Sequence, residues 1–409
     1  MIYRARHLLP MDGPPVPWGS MRVSGGRIVE LGTRDSLLPG KDEEVRQFPD
    51  GVMMPGLINA HCHLELGMAR GMLPRGEGFP MWVSRLRRAL EGNGPEHFRQ
   101  AARLGALECL KNGTTTVVDV GNSGEAARAL AELPIRSFPY LELIGLDPAV
   151  AAARLQQGAE WLEGLPEADG RYHPGVTCHA PYSCSVDLLT FVSHADGLRA
   201  GPYTLHVAES VEEMAMFREG RGALMDFCKR IFPGLKWNPG AGPASPIRFL
   251  SGIGAIPKGS LLVHCNVADR EEARILASSE SSVVHCPRSR AFFDHPALPL
   301  EVYRQEGVNL CLGTDSLASN EGLNLFDEMS EFQKEHPDIP AREILAMATR
   351  NGAKALGLGG ELGVLRPGAI ADFIVIALRH HPECDLHEEI VGEAHEVELV
   401  VVDGEEVVR

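Results

Sequence analysis

The sequence predicts an α/β protein: a TIM-type (β/α)8 barrel carrying a small β-sandwich domain built from both chain ends. Three observations predict it. Eight short, β-branched apolar runs alternate with stretches of helical period through the middle of the chain. Both ends read instead as strands and turns. Ionisable residues stand at the carboxyl ends of five of the eight runs, on the rim where such barrels place their chemistry.

At the N-terminus, Ser20–Ser24 and Arg27–Leu31 flank Gly25 and Gly26, a two-residue hairpin signal. The C-terminus repeats the texture in Asp372–Ala377, Leu399–Val402 and Glu405–Val408. Residues 1–54 and 363–409 are therefore assigned to one composite domain, and 55–362 to the barrel. The eight barrel runs are Gly56–Leu64, Thr114–Val120, Ile135–Leu143, Gly175–His179, Tyr203–Val207, Ser260–Cys265, Ser281–Cys286 and Asn309–Gly313. Pro95–Lys111 has helical period, with Phe98, Ala101, Leu104, Leu107 and Leu110 on the predicted inner face. Asp269–Ser279 opens on an N-cap aspartate. A doubly wound open sheet is the rival, but no GxGxxG turn follows the first run. Two stretches read as loops over the barrel mouth: Arg70–Val83, with Trp82, and Gly234–Leu250, with Trp237 and Arg248.

The 409 residues exceed the ~250 of a lone barrel. A formal charge of −16 argues against nucleic acid or an anionic membrane as partner. With 44% hydrophobic and 23% charged residues the chain is ordinary globular material, and its 44 glycines and 29 prolines fit many short loops. Nine cysteines without a CxxC pair suit free thiols in a reducing compartment. No apolar stretch is long enough for a signal peptide at the start, nor for a membrane span in Ala369–Leu378. A cytoplasmic enzyme acting on a small molecule is the expectation.

The strongest chemical signal is Asn59-Ala-His61-Cys62-His63-Leu64-Glu65. Residues two apart on a strand share a face, so His61 and His63 project together. On its own the pair equally suits two hydrogen-bonded core histidines. The other run ends shift the balance: His206-Val-Ala-Glu209, His264-Cys-Asn266, His285-Cys-Pro-Arg288 and Gly313-Thr-Asp315-Ser316. Buried aspartate is costly unless paired or metal-bound. Cys62, Cys178, Cys265 and Cys286 flank key histidines, and strand alternation is expected to turn them away as small packing groups.

These motifs, in this order and with the tail Leu362–Phe373, resemble the amidohydrolase superfamily over nearly the whole chain. The resemblance is to its branch of adenosine-type, guanine and cytosine deaminases and triazine hydrolases. It implies His61, His63, His206 and Asp315 as ligands of one divalent metal, zinc or iron. Three imidazoles and one carboxylate leave a position open for water, whose pKa the metal lowers. It further implies that Asp315 accepts the water proton, that His264 orients the attacking oxygen, and that Glu209 carries protons to a ring nitrogen and the leaving amine. His179 matches a substrate-contact position, with a core histidine as the equal alternative. No lysine occurs in the third and fourth runs, so the resemblance implies a mononuclear site. Dimers or larger assemblies are common among the proteins it resembles.

The seventh run departs from the nucleoside-deaminase pattern HNPxSN. Cys286 and Arg290 replace its asparagines, and Phe292 and Phe293 follow. Arg288 and Arg290 suit a substrate carboxylate or phosphate, gripped bidentately beside Trp82; the plainer alternative is ion pairing with Asp294 or Glu301. The HCHLEL and HCPRSRAFF variants resemble deaminases of 6-amino-6-deoxyfutalosine in the futalosine route to menaquinone. The expected reaction is thus hydrolytic deamination of an adenine-type nucleoside. Amine or halide displacement on another heteroaromatic ring (S-adenosylhomocysteine or methylthioadenosine, guanine, cytosine, a triazine) is the alternative. A metal-free scaffold would lack ligands, yet all four are present.

Overall fold

The computed structural model describes residues 1–195, 197–235, 245–378, 385–392 and 395–408. Trp237, most of the Gly234–Leu250 stretch and Cys384 lie outside the described residues.

Each of the eight central runs forms a strand: Leu57–Cys62, Thr114–Gly121, Arg136–Leu143, Gly175–Cys178, Thr204–Val207, Leu261–His264, Ser282–His285 and Asn309–Leu312. They pair in parallel and in chain order, four to a sheet. Parallel strands covered on both faces read as continuous apolar runs, and nearly every residue in these eight is buried. Two seams join the sheets. At one, the His206 N–H donates to the His179 carbonyl at 3.0 Å. At the other, Cys62 bridges Asp315 in parallel, and the Thr314 and Asp315 N–H groups both donate to the His61 carbonyl. Gly313 allows this approach, because a Cβ there would stand 2.8 Å from the His61 carbonyl oxygen.

The two chain ends build one eight-stranded sheet, where two stacked sheets were expected. Its path runs Glu405–Val408, Val397–Val402, Phe373–Ala377, Val45–Pro55, Ile2–Leu8, Gly19–Ser24 and Arg27–Thr33, with Val16–Pro17 beside Ile2–Leu8. Gly25 and Gly26 take φ of 56° and 73°, the two positive values a tight hairpin turn needs. Val45–Pro55 runs almost directly into the first central strand. A buried ion pair, Arg136 Nε to Asp372 Oδ2 at 2.8 Å, ties the third central strand to this sheet.

Two helices show where periodicity served and where it did not. Arg270–Ser278 begins as expected, with Asp269 and Glu272 forming a reciprocal capping box. Pro95–Lys111 has the expected limits, but of the apolar face read from its period only Leu110 is buried. Ala102, Gly105, Ala106 and Cys109 are buried, while Leu104 and Leu107 are 59% and 43% exposed. The helix packs tightly on the short turn Leu64–Ala69, where a Cβ on Gly105 would meet Leu64 at 3.1 Å. Close approach selects small residues, so the larger apolar ones fall outside. Among the described residues no helix is long and apolar enough to cross a membrane.

Candidate metal centre and active site

The site begins with an irregularity. The register between the first two central strands shifts between Asn59 and Cys62, a bulge that re-aims the chain end. Ile58 and Ala60 point between the sheets, Cys62 packs in the outer core, and the His61 and His63 rings meet edge to face at 4.7 Å. Asn59 locks this end to the eighth strand: its Nδ2 donates to Thr314 Oγ1 at 2.8 Å and its Oδ1 accepts from the Thr314 N–H. His264 and Asp315 leave their strands with φ of 72° and 56°. Such left-handed, non-glycine backbone costs about 1–3 kcal/mol and concentrates at functional sites.

Three imidazoles converge. Nε2 of His206 lies 3.1 Å from Nε2 of His63 and 3.2 Å from Nε2 of His61. The other nitrogens of two of them are already committed: Nδ1 of His63 donates to the Val120 carbonyl at 2.7 Å, and Nδ1 of His206 to the His179 carbonyl at 3.0 Å. Those bonds turn the Nε2 atoms of the rings towards one another, the arrangement in which imidazoles hold a metal ion. The donor set therefore fits a metal. Asp315 stands beside it, with Oδ1 3.8 Å from His63 Nε2. That carboxylate is held by Ser289 Oγ at 2.5 Å on Oδ2 and by the Ser316 N–H at 2.7 Å on Oδ1.

Glu142, on the third strand, was not anticipated. Its Oε1 lies 3.2 Å from His206 Nδ1, and it forms with His179 and His206 a second group of potential ligands. Burial raises its pKa, but His179 and His206 outweigh that and hold it at about 2. The ionised Glu142 in turn overrides burial at His206, raising that imidazole to about 9 in the metal-free protein. Burial holds His179 at about 4, so it is neutral, and its Nδ1 lies 2.7 Å from Ser183 Oγ. Burial likewise lowers His61 and His264.

Glu209 lies beyond the three converging imidazoles. His264 Nε2 is 3.8 Å and His295 Nε2 3.3 Å from the same oxygen, Oε1. Burial would raise Glu209, but these histidines and His206 draw it down to about 2. His295 is the second residue that sequence reasoning missed; its only signal was a histidine among the aromatics Phe292 and Phe293. Trp82 sits on the helix Phe79–Leu90, not in a loop, against Phe79 and Phe293, which both also contact His295.

The arginines are elsewhere engaged. Arg288 pairs with Glu321 at 3.3 Å and Asp327 at 3.4 Å. Arg290 pairs with Glu335 and donates to the His295 carbonyl at 2.8 Å. Neither uses Asp294 or Glu301, and both guanidinium groups are paired with carboxylates of the protein itself. Arg248 is on the helix Pro246–Gly252, paired with Asp269 and Glu271. The seventh strand also turns differently from expectation. Cys286 joins the core between the sheets with Val284, so His285 points to the helix layer near Phe332. Cys62, Cys178 and Cys265 do pack outward.

Residues 52–407 match the family model described as "Amidohydrolase family". The chain is 29% identical to a 5-methylthioadenosine/S-adenosylhomocysteine deaminase of Pelotomaculum thermopropionicum, over 100% of this chain and 93% of that one. Its fold is that of two solved structures. One is an adenosine deaminase from Xanthomonas campestris with bound zinc, with TM-score 0.85 and 23% identity over 100% of this chain and 92% of that one. The other is Helicobacter pylori aminofutalosine deaminase in complex with methylthio-coformycin, with TM-score 0.84 and 24% identity over 100% of both chains. The chain belongs to the amidohydrolase family, as a hydrolase of carbon–nitrogen bonds.

Proposed function

We propose that the protein is a metal-dependent hydrolytic deaminase of an adenine-type nucleoside. The convergence of the His61, His63 and His206 Nε2 atoms beside Asp315, with Glu209 and His264 one layer further out, carries the reading. His61, His63, His206 and Asp315 would hold one divalent ion; three imidazoles and a carboxylate suit zinc first and iron second. When bound, that ion supplies Lewis-acid activation of a water. The two sheets, joined at both seams, are read as halves of one (β/α)8 barrel with this centre at its carboxyl rim.

The remaining chemistry belongs to the chain. Asp315, fixed by Ser289, accepts the proton of the attacking water. His264, neutral by burial, directs that water to C6 and steadies the tetrahedral carbon. Glu209, ionised in the resting protein, carries one proton of the attacking water to the ring nitrogen and then relays the second, first held by Asp315, to the departing amine, so that ammonia leaves. His179, 5.1 Å from His206 between ring centroids, would contact the substrate ring. Trp82, with Phe79 and Phe293, forms an aromatic wall next to Glu209's partner His295.

The first substrate is 6-amino-6-deoxyfutalosine, converted to futalosine and ammonia on the way to menaquinone, as the HCHLEL and HCPRSRAFF motifs and the likeness to the Helicobacter pylori deaminase suggest. The engagement of Arg288 and Arg290 by protein carboxylates favours a second reading without a substrate carboxylate grip. In it the substrate is methylthioadenosine or S-adenosylhomocysteine, after the Pelotomaculum relative. Ammonia release from these three nucleosides, with adenosine, guanine and cytosine alongside, separates the readings. Preference for the first supports the futalosine route, and preference for the thioether nucleosides supports the second. Turnover of none by zinc-loaded protein overturns the deaminase reading.

A further inference from the structure

We propose that His295 is a positioning residue for Glu209, and that Arg290 acts on the site through it instead of gripping substrate; this rests on the reading of Glu209 as the proton carrier. His295 follows the helix Pro287–Phe293, which closes on Asp294 in left-handed conformation, φ 56°. Both sides of the His295 backbone return to Arg290. Its N–H donates to the Arg290 carbonyl at 3.1 Å, and its carbonyl accepts from Arg290 Nη1 at 2.8 Å. The guanidinium is itself anchored by Glu335 on the helix Leu325–Glu335. The arginine thus staples the turn that carries the histidine.

The ring is fixed as firmly as the backbone. It stacks on Phe293 at 5.1 Å between centroids and 23° between planes, with Phe79 at 6.1 Å. The imidazole is buried, and its Nε2 stands nearer to Glu209 Oε1 than His264 does, 3.3 against 3.8 Å. A terminal carboxylate torsion is broad and two-fold when free. Nε2 of His295 at 3.3 Å from Oε1, with His264 at 3.8 Å, restricts that torsion from one side. Glu213 closes the other side, with its Oε2 accepting the Glu209 backbone N–H at 2.8 Å. The contact with Glu209 explains a buried histidine on a turn with no part in metal binding.

The test uses the full chain and two readouts. In ¹⁵N-histidine spectra, assigned through His295→Gln, the His295 ring signals shift when Glu209→Gln is introduced. In kinetics on whichever nucleoside the wild type deaminates, His295→Ala lowers kcat on the order of 100-fold, the scale of a misplaced catalytic group, with KM little changed. His295→Gln, which keeps an N–H donor, recovers most of that loss. Arg290→Ala lowers kcat in the same direction with metal content intact. Ring signals indifferent to Glu209→Gln, or wild-type kcat in His295→Ala, overturn the proposal. If the wild type deaminates nothing offered, the deaminase reading fails while the spectra still decide the contact.

Discussion

Oε1 of Glu142 lies 3.2 Å from Nδ1 of His206, so a buried carboxylate on the third strand joins the His179 carbonyl in orienting a candidate ligand on the fifth. Such carboxylate–histidine pairs orient a ligand and raise its basicity, and losing one costs 10–100-fold in metal affinity or activity. Glu142→Gln is expected to weaken zinc binding within that range in chelator competition while leaving the fold intact. Unchanged affinity would remove Glu142 from the metal's support.

Burial, helped by the nearby Glu209 charge, pushes Glu213 up to about 8 despite the backbone N–H it accepts. The unfolded chain releases that proton near 4.5. The folded state thus binds more protons between these values, and the Glu213 contribution is fully present below 4.5 and lost as pH rises through about 8. Glu213→Gln should therefore flatten the loss of stability between about pH 4.5 and 8 in thermal melts. Parallel curves for variant and wild type would contradict the shift.

Arg136 and Asp372 are 1% and 2% exposed in their side chains, and this pair joins the barrel-like core to the terminal sheet. Removing one partner of a buried pair strands the other charge. Asp372→Ala is expected to cost about 3–5 kcal/mol in urea unfolding, since among the described residues Arg136 then keeps the Gly170 carbonyl and the half-exposed Asp403 at 3.9 Å. A loss under ~1 kcal/mol would mean the charges are solvated, as in surface pairs.

The inward face of Pro95–Lys111 makes a paired prediction. Leu104→Ser, on the exposed side, should stay within ~0.5 kcal/mol of wild type. Ala106→Leu, on the fully buried side, should cost about 1–3 kcal/mol by overpacking. Equal effects in urea unfolding would contradict the assigned face.

That helix also shows what was legible in the sequence. Its limits were, because Asn112 and Gly113 stop the period; its orientation was not, because contact with Leu64–Ala69 selects small residues over large ones. The eight strands were legible because parallel, doubly covered strands must be apolar throughout. His61 and His63 were legible as a pair, although a bulge, not plain alternation, brings them together. Alternation misled at the seventh strand, where Cys286 turns inward and His285 outward. Glu142 stands next to the last residue of its strand, where the rule of ionisable residues at carboxyl ends reaches it, whereas His295 comes from a turn, a position that carries no spacing rule. Arg288 and Arg290 suggested ligand binding because their carboxylate partners, Glu321, Asp327 and Glu335, lie 33, 39 and 45 residues away along the chain.

Metal-dependent proton transfer through Glu209 is the central claim, and one measurement addresses it directly. Chelated protein, the same protein reloaded with zinc, and zinc-loaded Glu209→Gln are each given the preferred adenine nucleoside, and ammonia is counted against bound metal. The expected result is no turnover after chelation and recovery at one zinc per chain. The Glu209→Gln protein should hold the same zinc with activity lowered at least 10²–10⁴-fold, the usual contribution of a positioned acid–base group. Undiminished ammonia release from the chelated protein, or from the glutamine variant, would contradict the account.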